Sequence, residues 1–333
     1  MITISLCMIV KNEEKVLARC LDSIADLMDE IVIVDTGSTD RTKEIAAGYT
    51  SRIFDFPWNG SFADARNYSF SKATCQYIYC ADADEVLDEE NHDRFALLKK
   101  GLLPEIDIVQ MYYCNQLSYN TVYNYDKEYR PKLYKRLRTF TWYNPIHESV
   151  SLEPVIYDSD IEIQHRPTGL HASRDLKAFE KMYADGLPLS KRLHTMYAKE
   201  LLIAGDKSDL IRSIPTFLST LKEDRSDEER LEACCILART YRLRGETANF
   251  FKYTTKAVTL EGEGCAEICF ELGLHYASQL DYDEALIWLH AALNAPCILN
   301  IKTTKHAASQ LAECYEKLGH PQEAAHYRNQ AEE

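Results

Sequence analysis

The chain has 333 residues, of which 46% are hydrophobic and 27% charged, a composition typical of a folded protein and a length that suggests two domains, or three. Its formal net charge of -14 disfavours binding along a nucleic acid, because an acidic surface repels phosphates. No apolar run approaches the roughly 20 residues of a membrane-spanning helix, and the N-terminal apolar stretch lacks the basic residues that open a secretory signal. The eleven scattered cysteines favour reduced, buried thiols and a cytoplasmic location.

The first part of the chain alternates strand and helix patterns. The apolar run at residues 2–10 predicts a buried strand, after which Asn12 is expected to cap a helix with one apolar face. A second strand is predicted at residues 31–34, followed by a helix from Asp40 to about Gly48.

A third unit completes the pattern with a strand at residues 53–54, a helix at 63–72 and a strand at 77–80. Strands alternating with helices predict an α/β fold, a Rossmann-like and mostly parallel sheet with helices on both faces. Ligands of such sheets bind beyond the carboxyl ends of the strands. Three polar clusters fall at that edge, at residues 11–14, 35–40 and 82–85.

The pattern changes from about Asp107 to His171, where tyrosines crowd the chain and prolines break it into short segments. This composition predicts an irregular, antiparallel second part of the same domain. We expect an acceptor site in this part.

Beyond Ser173 the pattern is almost purely helical and repeats one plan, two helices joined by a polar turn. The turns lie 40, 36 and 38 residues apart, at Gly205, Gly245, Asp281 and Gly319. This spacing is similar to that of tetratricopeptide-like repeats, whose stacked helical hairpins form a concave groove. We therefore predict two domains, residues 1–172 and 173–333, and expect the second to bind a polypeptide or to pair two copies of the chain.

Asp82 and Asp84 follow a buried strand, so their carboxylates are expected to emerge together at the edge of the sheet. Two carboxylates one residue apart can hold a divalent cation that also binds phosphate oxygens, as Mg²⁺ does when it keeps few protein ligands. The same residues could instead form an acidic turn whose carboxylates are solvated. The pattern leaves both interpretations open.

The turn that begins at Asp35 has two interpretations as well. Asp35 could accept a hydrogen bond from a base or a ribose, with Gly37 permitting close backbone approach, or the turn could serve only to cap the next helix. Arg66, on the third helix, could reach a diphosphate or clamp a carboxylate of the acidic loop, or lie on the surface.

A short basic run and several histidines stand out in the tyrosine-rich part. The run could neutralise a diphosphate, line the entrance of an acceptor channel or form a solvated strand face; it comprises Arg130, Lys132, Lys135, Arg136 and Arg138. In the adjacent pair His147-Glu148, one residue could bind a metal while the other acts as a general base. His165 and His171 could add a metal ligand or a phosphate contact, or be structural.

Five segments occur in one order over residues 2 to 150: ISLCMIVKNEE, DEIVIVDTGSTDRTKEIA, FADARNYSFSKA, YIYCADADE and YNPIHESV. Together they resemble the inverting family 2 glycosyltransferases of GT-A fold. More narrowly, the chain is similar to the bacterial subgroup with C-terminal helical repeats that includes the sublancin-type peptide S-glycosyltransferases. The resemblance covers nearly the whole chain.

The resemblance implies a UDP-sugar donor and a divalent cation, Mg²⁺ or Mn²⁺. On this mapping the nucleoside pocket contains Asp35, Thr36 and Gly37, lined by Lys11, Asn12 and Glu13. The D-x-D element Asp82-Ala83-Asp84 lies around the ribose and the metal, and Arg66 is near the diphosphate. Apart from the resemblance, we predict His165 as a further metal ligand. His147 and Glu148 match the acceptor-side I-H-E element, with Glu148 the predicted base. Many family members carry two acids where this chain has Asp35-Thr36, so the contact to the base can differ.

The sequence thus predicts a metal-dependent inverting glycosyltransferase that transfers one sugar from a UDP-sugar to a peptide or protein side chain. Two other functions stay open: transfer to a lipid-linked or cell-envelope glycan, and a non-catalytic protein that binds partners through its repeats. Neither the sugar, nor the linked atom, nor the oligomeric state follows from the sequence.

Overall fold

The computed structural model describes residues 1–115, 127–137, 142–143, 149–150, 153–167, 172–261 and 265–332. The chain divides into two compact units, Met1–Leu170 and His171–Glu333. The described part of the first unit contains the strands and four α-helices, and that of the second contains helices throughout.

The strands of the first unit are β1 (Ile4–Val10), β2 (Glu30–Asp35), β3 (Ile53–Asp55), β4 (Tyr77–Cys80), β5 (Glu85–Val86), β6 (Ile108–Cys114), β7 (Glu128–Lys135), β8 (Trp142–Tyr143), β9 (Ser149–Val150) and β10 (Ile156–His165). Its α-helices are α1 (Leu17–Asp22), α2 (Thr42–Ala47), α3 (Phe62–Lys72) and α4 (Glu89–Gly101). The order in the main sheet is β3-β2-β1-β4-β7-β6-β10-β5, and β8 pairs with β9 separately.

The four strands at one side of the sheet, β3, β2, β1 and β4, run parallel. Strand β7 is antiparallel to both β4 and β6, whereas β10 is parallel to β6. The carboxyl ends of β1, β2, β4, β6 and β10 therefore meet at one edge. Because β7 runs the opposite way, its amino end lies at that same edge.

Strand β1 has an almost continuous apolar sequence because helices cover both faces of the sheet. Leu6 and Met8 point into one core with Leu17 of α1 and Phe95 of α4. Cys7 points into the other core, against which aromatic residues of α3 pack. The expected α/β fold with helices on both faces is confirmed.

Two predicted helix starts are wrong. Asn12 does not cap α1; it has a positive φ of 56°, and the helix begins at Leu17 with no side-chain cap. Asn12 is used elsewhere, since its Oδ1 accepts a hydrogen bond of 2.8 Å from the Thr39 backbone. The helix expected from Asp40 begins at Thr42, because the Asp40 carboxylate accepts from the Thr42 N–H at 3.0 Å and so precedes the helix.

The second unit is built from helical hairpins. Its helices are α5 (Ala172–Ala184), α6 (Lys191–Ala204), α7 (Lys207–Thr220), α8 (Asp227–Arg244), α9 (Thr247–Glu261), α10 (Ala266–Ser278), α11 (Tyr282–Asn294), α12 (Thr303–Lys317) and α13 (Pro321–Glu332). Each of the four predicted turns joins two consecutive helices: α6 and α7, α8 and α9, α10 and α11, and α12 and α13. Gly245 and Gly319 take positive φ values of 74° and 81°, which explains glycine at these turns.

No described helix is both long and apolar enough to cross a membrane.

Helices α10 and α11 pack closely at Gly273 of α10. A Cβ at this position would lie 2.6 Å from Cγ and 2.7 Å from Cδ2 of Leu289 on α11, and Leu289 is fully buried. We expect Gly273→Ala to lower the free energy of unfolding by about 1 kcal/mol, because overpacking outweighs the gain in helix propensity. Urea denaturation followed by circular dichroism measures this change.

The matched control is Gly101→Ala at the end of α4, where a Cβ would meet nothing within 4 Å. This variant should be as stable as the wild type or slightly more stable. Equal stabilities of Gly273→Ala and Gly101→Ala would contradict the packing argument.

Candidate functional site

Asp35 ends β2 at the carboxyl edge of the sheet and is only 2% exposed. Its Oδ2 accepts hydrogen bonds of 3.0 Å from the backbone N–H groups of Gly37 and Ser38, so one oxygen closes the turn. Gly37 has a φ of 101°, a conformation that favours glycine. The other oxygen, Oδ1, is buried and has no hydrogen-bond partner in the described structure. A buried acceptor without a partner is costly, so a donor group placed here would be stabilising.

The loop after β1 is joined to this turn. The Asn12 N–H donates to Ser38 Oγ at 2.9 Å, and the Glu13 N–H donates to Thr42 Oγ1 at 2.7 Å. Lys11 is exposed beside them. The structure therefore brings together the residues predicted to line the nucleoside pocket, and their loops are fixed before a ligand arrives.

Thr36 differs from its neighbours because its polar groups are used inside the protein. Both its N–H and its hydroxyl donate to the Val10 carbonyl, at 2.9 and 3.2 Å. Thr36 is 6% exposed, so its side chain joins β1 to β2.

The acidic loop after β4 is held by Arg66 of α3. Arg66 donates to Asp82 Oδ1 at 2.8 Å and to Cys80 Sγ at 2.7 Å. Burial alone would raise the pKa of Asp82, but the charges of Arg66 and then Lys132 outweigh it and lower the pKa to about 2. Both side chains of the pair keep more than a third of their surface exposed, so the pair remains accessible to a ligand.

Asp84 projects toward β10, where His165 Nε2 lies 3.1 Å from Asp84 Oδ2. The pair is held from both sides, because β5 pairs with β10 at His165 and the Arg166 N–H donates to the Asp84 carbonyl at 2.9 Å. Between the two aspartates, Ala83 points into the core and is 6% exposed, so only its backbone can contribute to a site.

The basic run contributes to the site only in part. Lys132 is buried and donates to Glu85 Oε1, directly after the acidic loop, and the Arg130 guanidinium lies 3.9 Å from the ring centre of Tyr113. Lys135 and Arg136 instead bind backbone carbonyls away from this loop, those of Pro104 and Cys75. Arg138 lies outside the described residues.

No sequence pattern predicts the buried pair of Lys132 and Glu85. Burial lowers the pKa of Lys132, but the charges of Glu85 and Asp82 outweigh it and raise the pKa overall, so Lys132 is charged. Burial raises the pKa of Glu85 to about 7 against the effect of Lys132. The raised pKa of Lys132 indicates an excess of negative charge around the loop, whereas that of Glu85 follows first from its burial.

A divalent cation fits this excess of charge. Asp84 and His165 offer an oxygen and a nitrogen at one place, whereas Asp82 Oδ1 is paired with Arg66. Within the described ranges no group of three or more His, Cys, Asp or Glu side chains is arranged to hold a metal. Two protein ligands suit Mg²⁺ or Mn²⁺ whose other ligands are water and phosphate oxygens.

The predicted acceptor-side residues His147 and Glu148 lie outside the described residues, as does His171. Their roles stay predictions.

The first unit belongs to a known class of enzyme domain. Residues 5–152 match the family Glycosyl transferase family 2, a little under half of the chain. The N-terminal domain is therefore similar to family 2 glycosyltransferases, and the predicted combination of an α/β domain with an all-helical region is confirmed.

Three proteins are similar to this chain over part of its length. The glycosyltransferase SunS of Bacillus subtilis is 32% identical over 171 residues, which are 48% of this chain and 36% of SunS. A TPR repeat-containing protein of Synechococcus elongatus is 44% identical over 87 residues, 26% of this chain and 22% of that protein. The chain thus spans between about a fifth and two fifths of the length of these curated relatives. Among solved structures, glucosyl-3-phosphoglycerate synthase from Mycobacterium tuberculosis has a TM-score of 0.40 at 16% identity, over 57% of this chain and 82% of that one.

The pKa of Asp82 leads to a prediction about Arg66→Met. A carboxylate with a lowered pKa stabilises the folded state above its unfolded pKa of about 4 and loses that contribution as the pH falls toward 2. We expect the variant to be less stable by at most about 1 kcal/mol at neutral pH, because the pair is partly exposed. The difference from wild type should shrink as the pH falls from about 4 toward 2, which urea denaturation at several pH values measures.

Arg41→Met is the control, because Arg41 forms a well exposed pair with Glu44. It should change the stability little at any of these pH values. A loss of stability in Arg66→Met that stays constant down to pH 2 would contradict the assignment of the low pKa to Arg66.

Proposed function

We propose that the protein is a metal-dependent inverting glycosyltransferase that transfers a single sugar from a UDP-sugar to a peptide or protein side chain. The observation that carries this proposal is the meeting of Asp35, Asp82 and Asp84 at the carboxyl edge of one sheet in a family 2 domain. That edge is where ligands of parallel sheets bind.

In this proposal the Asp35 turn, Arg66 and the loop with Asp82 and Asp84 each contact a different part of the donor. The free oxygen of Asp35 accepts a hydrogen bond from the uracil or the ribose, beside the loop that contains Lys11, Asn12 and Glu13. Arg66 lies one helix turn inside α3, close enough to Asp82 to share its charge with the diphosphate. These contacts orient the donor before reaction, which lowers the entropic cost of the transfer step.

Asp84 and His165 would hold the cation, and Asp82 would contact it or the ribose. When bound, the cation supplies positive charge to the departing diphosphate. Arg66 adds to that stabilisation because it provides fixed positive charge at the same loop.

Inversion by direct displacement requires a base that takes the proton of the acceptor. We propose Glu148 as this base, with His147 beside it, on the resemblance to the I-H-E element. A cysteine acceptor would need less help, since a thiol is partly ionised near neutral pH. The peptide acceptor is supported by the resemblance to the sublancin-type enzymes and by the similarity to SunS.

The helical hairpins suit recognition of the acceptor polypeptide, or pairing of two copies of the chain, because stacked hairpins present an extended surface. We also propose a cytoplasmic location. Nine of the eleven cysteines are buried as free thiols, which suits a reducing compartment.

Asp84→Asn tests the proposal. Loss of one charge at the cation site should weaken binding of UDP in the presence of Mn²⁺ and reduce transfer at least about a hundredfold, with the melting temperature of the free protein little changed. The assay combines purified protein, a panel of UDP-sugars and a library of Ser-, Thr- and Cys-containing peptides, with mass spectrometry to detect the added sugar.

The matched control is Glu89→Gln, which removes one acidic charge five residues away in the first turn of α4. It should leave transfer and UDP binding unchanged. Full activity of Asp84→Asn would overturn the site assignment. Transfer only to a lipid-linked glycan would overturn the peptide acceptor, and failure of the wild type to bind any sugar nucleotide would favour a non-catalytic protein.

A further inference from the structure

Strand β7 contains a bulge at Lys132. Val109 of β6 pairs with Leu133, whereas the next residue, Gln110, pairs with Pro131, so Lys132 has no partner on β6. Pro131 has no N–H to give to the ladder, which suits a strand irregularity at this point. An extra residue in one strand turns its side chain away from the regular alternation, and bulges often do so beside active sites.

The side chain of Lys132 is directed to Glu85. Lys132 is 6% exposed and Glu85 2%, and the ammonium donates to Glu85 Oε1. A buried ammonium without a partner would cost much free energy, so the position of Lys132 depends on Glu85. In the same way, the position of Glu85 depends on Lys132.

This ion pair connects β7 to the acidic loop. Glu85 begins β5, and its N–H donates at 3.1 Å to the carbonyl of Asp82, which closes the turn from Asp82 to Glu85. Within that turn Asp82 faces Arg66 and Asp84 faces His165. A shift of Glu85 would therefore move both aspartates.

Stability alone does not account for a charged pair here. A buried ion pair is often no more stabilising than apolar residues of the same volume, although removing one partner is strongly destabilising. The location of the pair directly under the acidic turn gives it a different role.

We propose that Lys132 is a positioning residue of the donor site, which holds the turn from Asp82 to Glu85 through its ion pair with Glu85. The inference rests on the proposed function, since the turn is taken to bind the metal and the nucleotide diphosphate. Lys132 itself does not touch the donor in this account. Its effect reaches the donor through the placement of Asp82 and Asp84.

The test uses the double variant Lys132→Met/Glu85→Gln, in which neither partner is left as an unpaired buried charge. The single variant Lys132→Met should be clearly less stable, because it leaves Glu85 buried alone. The double variant should recover most of the melting temperature. Its affinity for UDP with Mn²⁺, measured by isothermal titration calorimetry, should still be about tenfold or more below wild type, as is usual when the support of a metal ligand is lost.

The matched control is Lys99→Met/Asp29→Asn. Lys99 lies 2.8 Å from Asp29, its side chain is 12% exposed, and the Asp29 carboxylate accepts from the N–H of Ile4 at the start of β1, the opposite edge of the sheet. This double variant also loses an ion pair of the first unit. It should keep wild-type affinity for UDP with Mn²⁺.

Two results separate the two proposals. If the wild type binds UDP with Mn²⁺ and the Lys132→Met/Glu85→Gln variant binds it equally well, the positioning role is wrong and the proposed function stands. If the wild type does not bind, the proposed function is wrong. A crystal structure of the double variant then still tests the positioning role, which predicts a displaced turn from Asp82 to Glu85 and is overturned if the turn is unchanged.

Discussion

The parallel pairing of β2, β1 and β4 is the constraint on which the site depends. Val10 pairs with Asp35, and Cys7 pairs with Cys80 just before the acidic loop, so three loops distant in sequence leave the sheet at one edge. Helices on both faces require the strands to be apolar, which leaves the strand ends as the place where polar side chains can gather. Hydrogen bonds between the Asn12 loop and the Asp35 turn then fix two of these loops against each other.

Charge determines what this edge can bind. The acidic loop carries Asp82, Asp84 and Glu85, and the described cations that pair directly with it are Arg66 and Lys132, with His165 beside Asp84. Carboxylates therefore exceed permanent cations, which accounts for the raised pKa of Lys132 as well as for the suitability of the site for a divalent ion. The match to family 2 and this charge arrangement both support the proposed donor chemistry, one from sequence similarity and one from geometry.

The sequence predicted the elements whose signal is local. Strand β4 is found at the predicted residues 77–80, and the four hairpin turns lie between the expected helices, because apolar periodicity and turn residues act over short distances. Asn12 was misassigned because its side chain bonds to Thr39, a contact that depends on strand pairing. The role of Lys132 was not predictable either, since a bulge is set by the register between β6 and β7. The sequence signal for this bulge was a proline, Pro131, directly before Lys132 within a strand pattern.

The central claim is that Asp35 and the pair Asp84–His165 bind opposite ends of one nucleotide diphosphate. The direct measurement is a crystal structure with UDP and Mn²⁺, with anomalous diffraction recorded at the manganese edge. The account predicts an anomalous peak about 2.0–2.6 Å from a carboxylate oxygen of Asp84 and the nucleoside hydrogen-bonded to Asp35. A nucleotide bound away from the carboxyl edge of the sheet, or manganese without contact to Asp84, would contradict it.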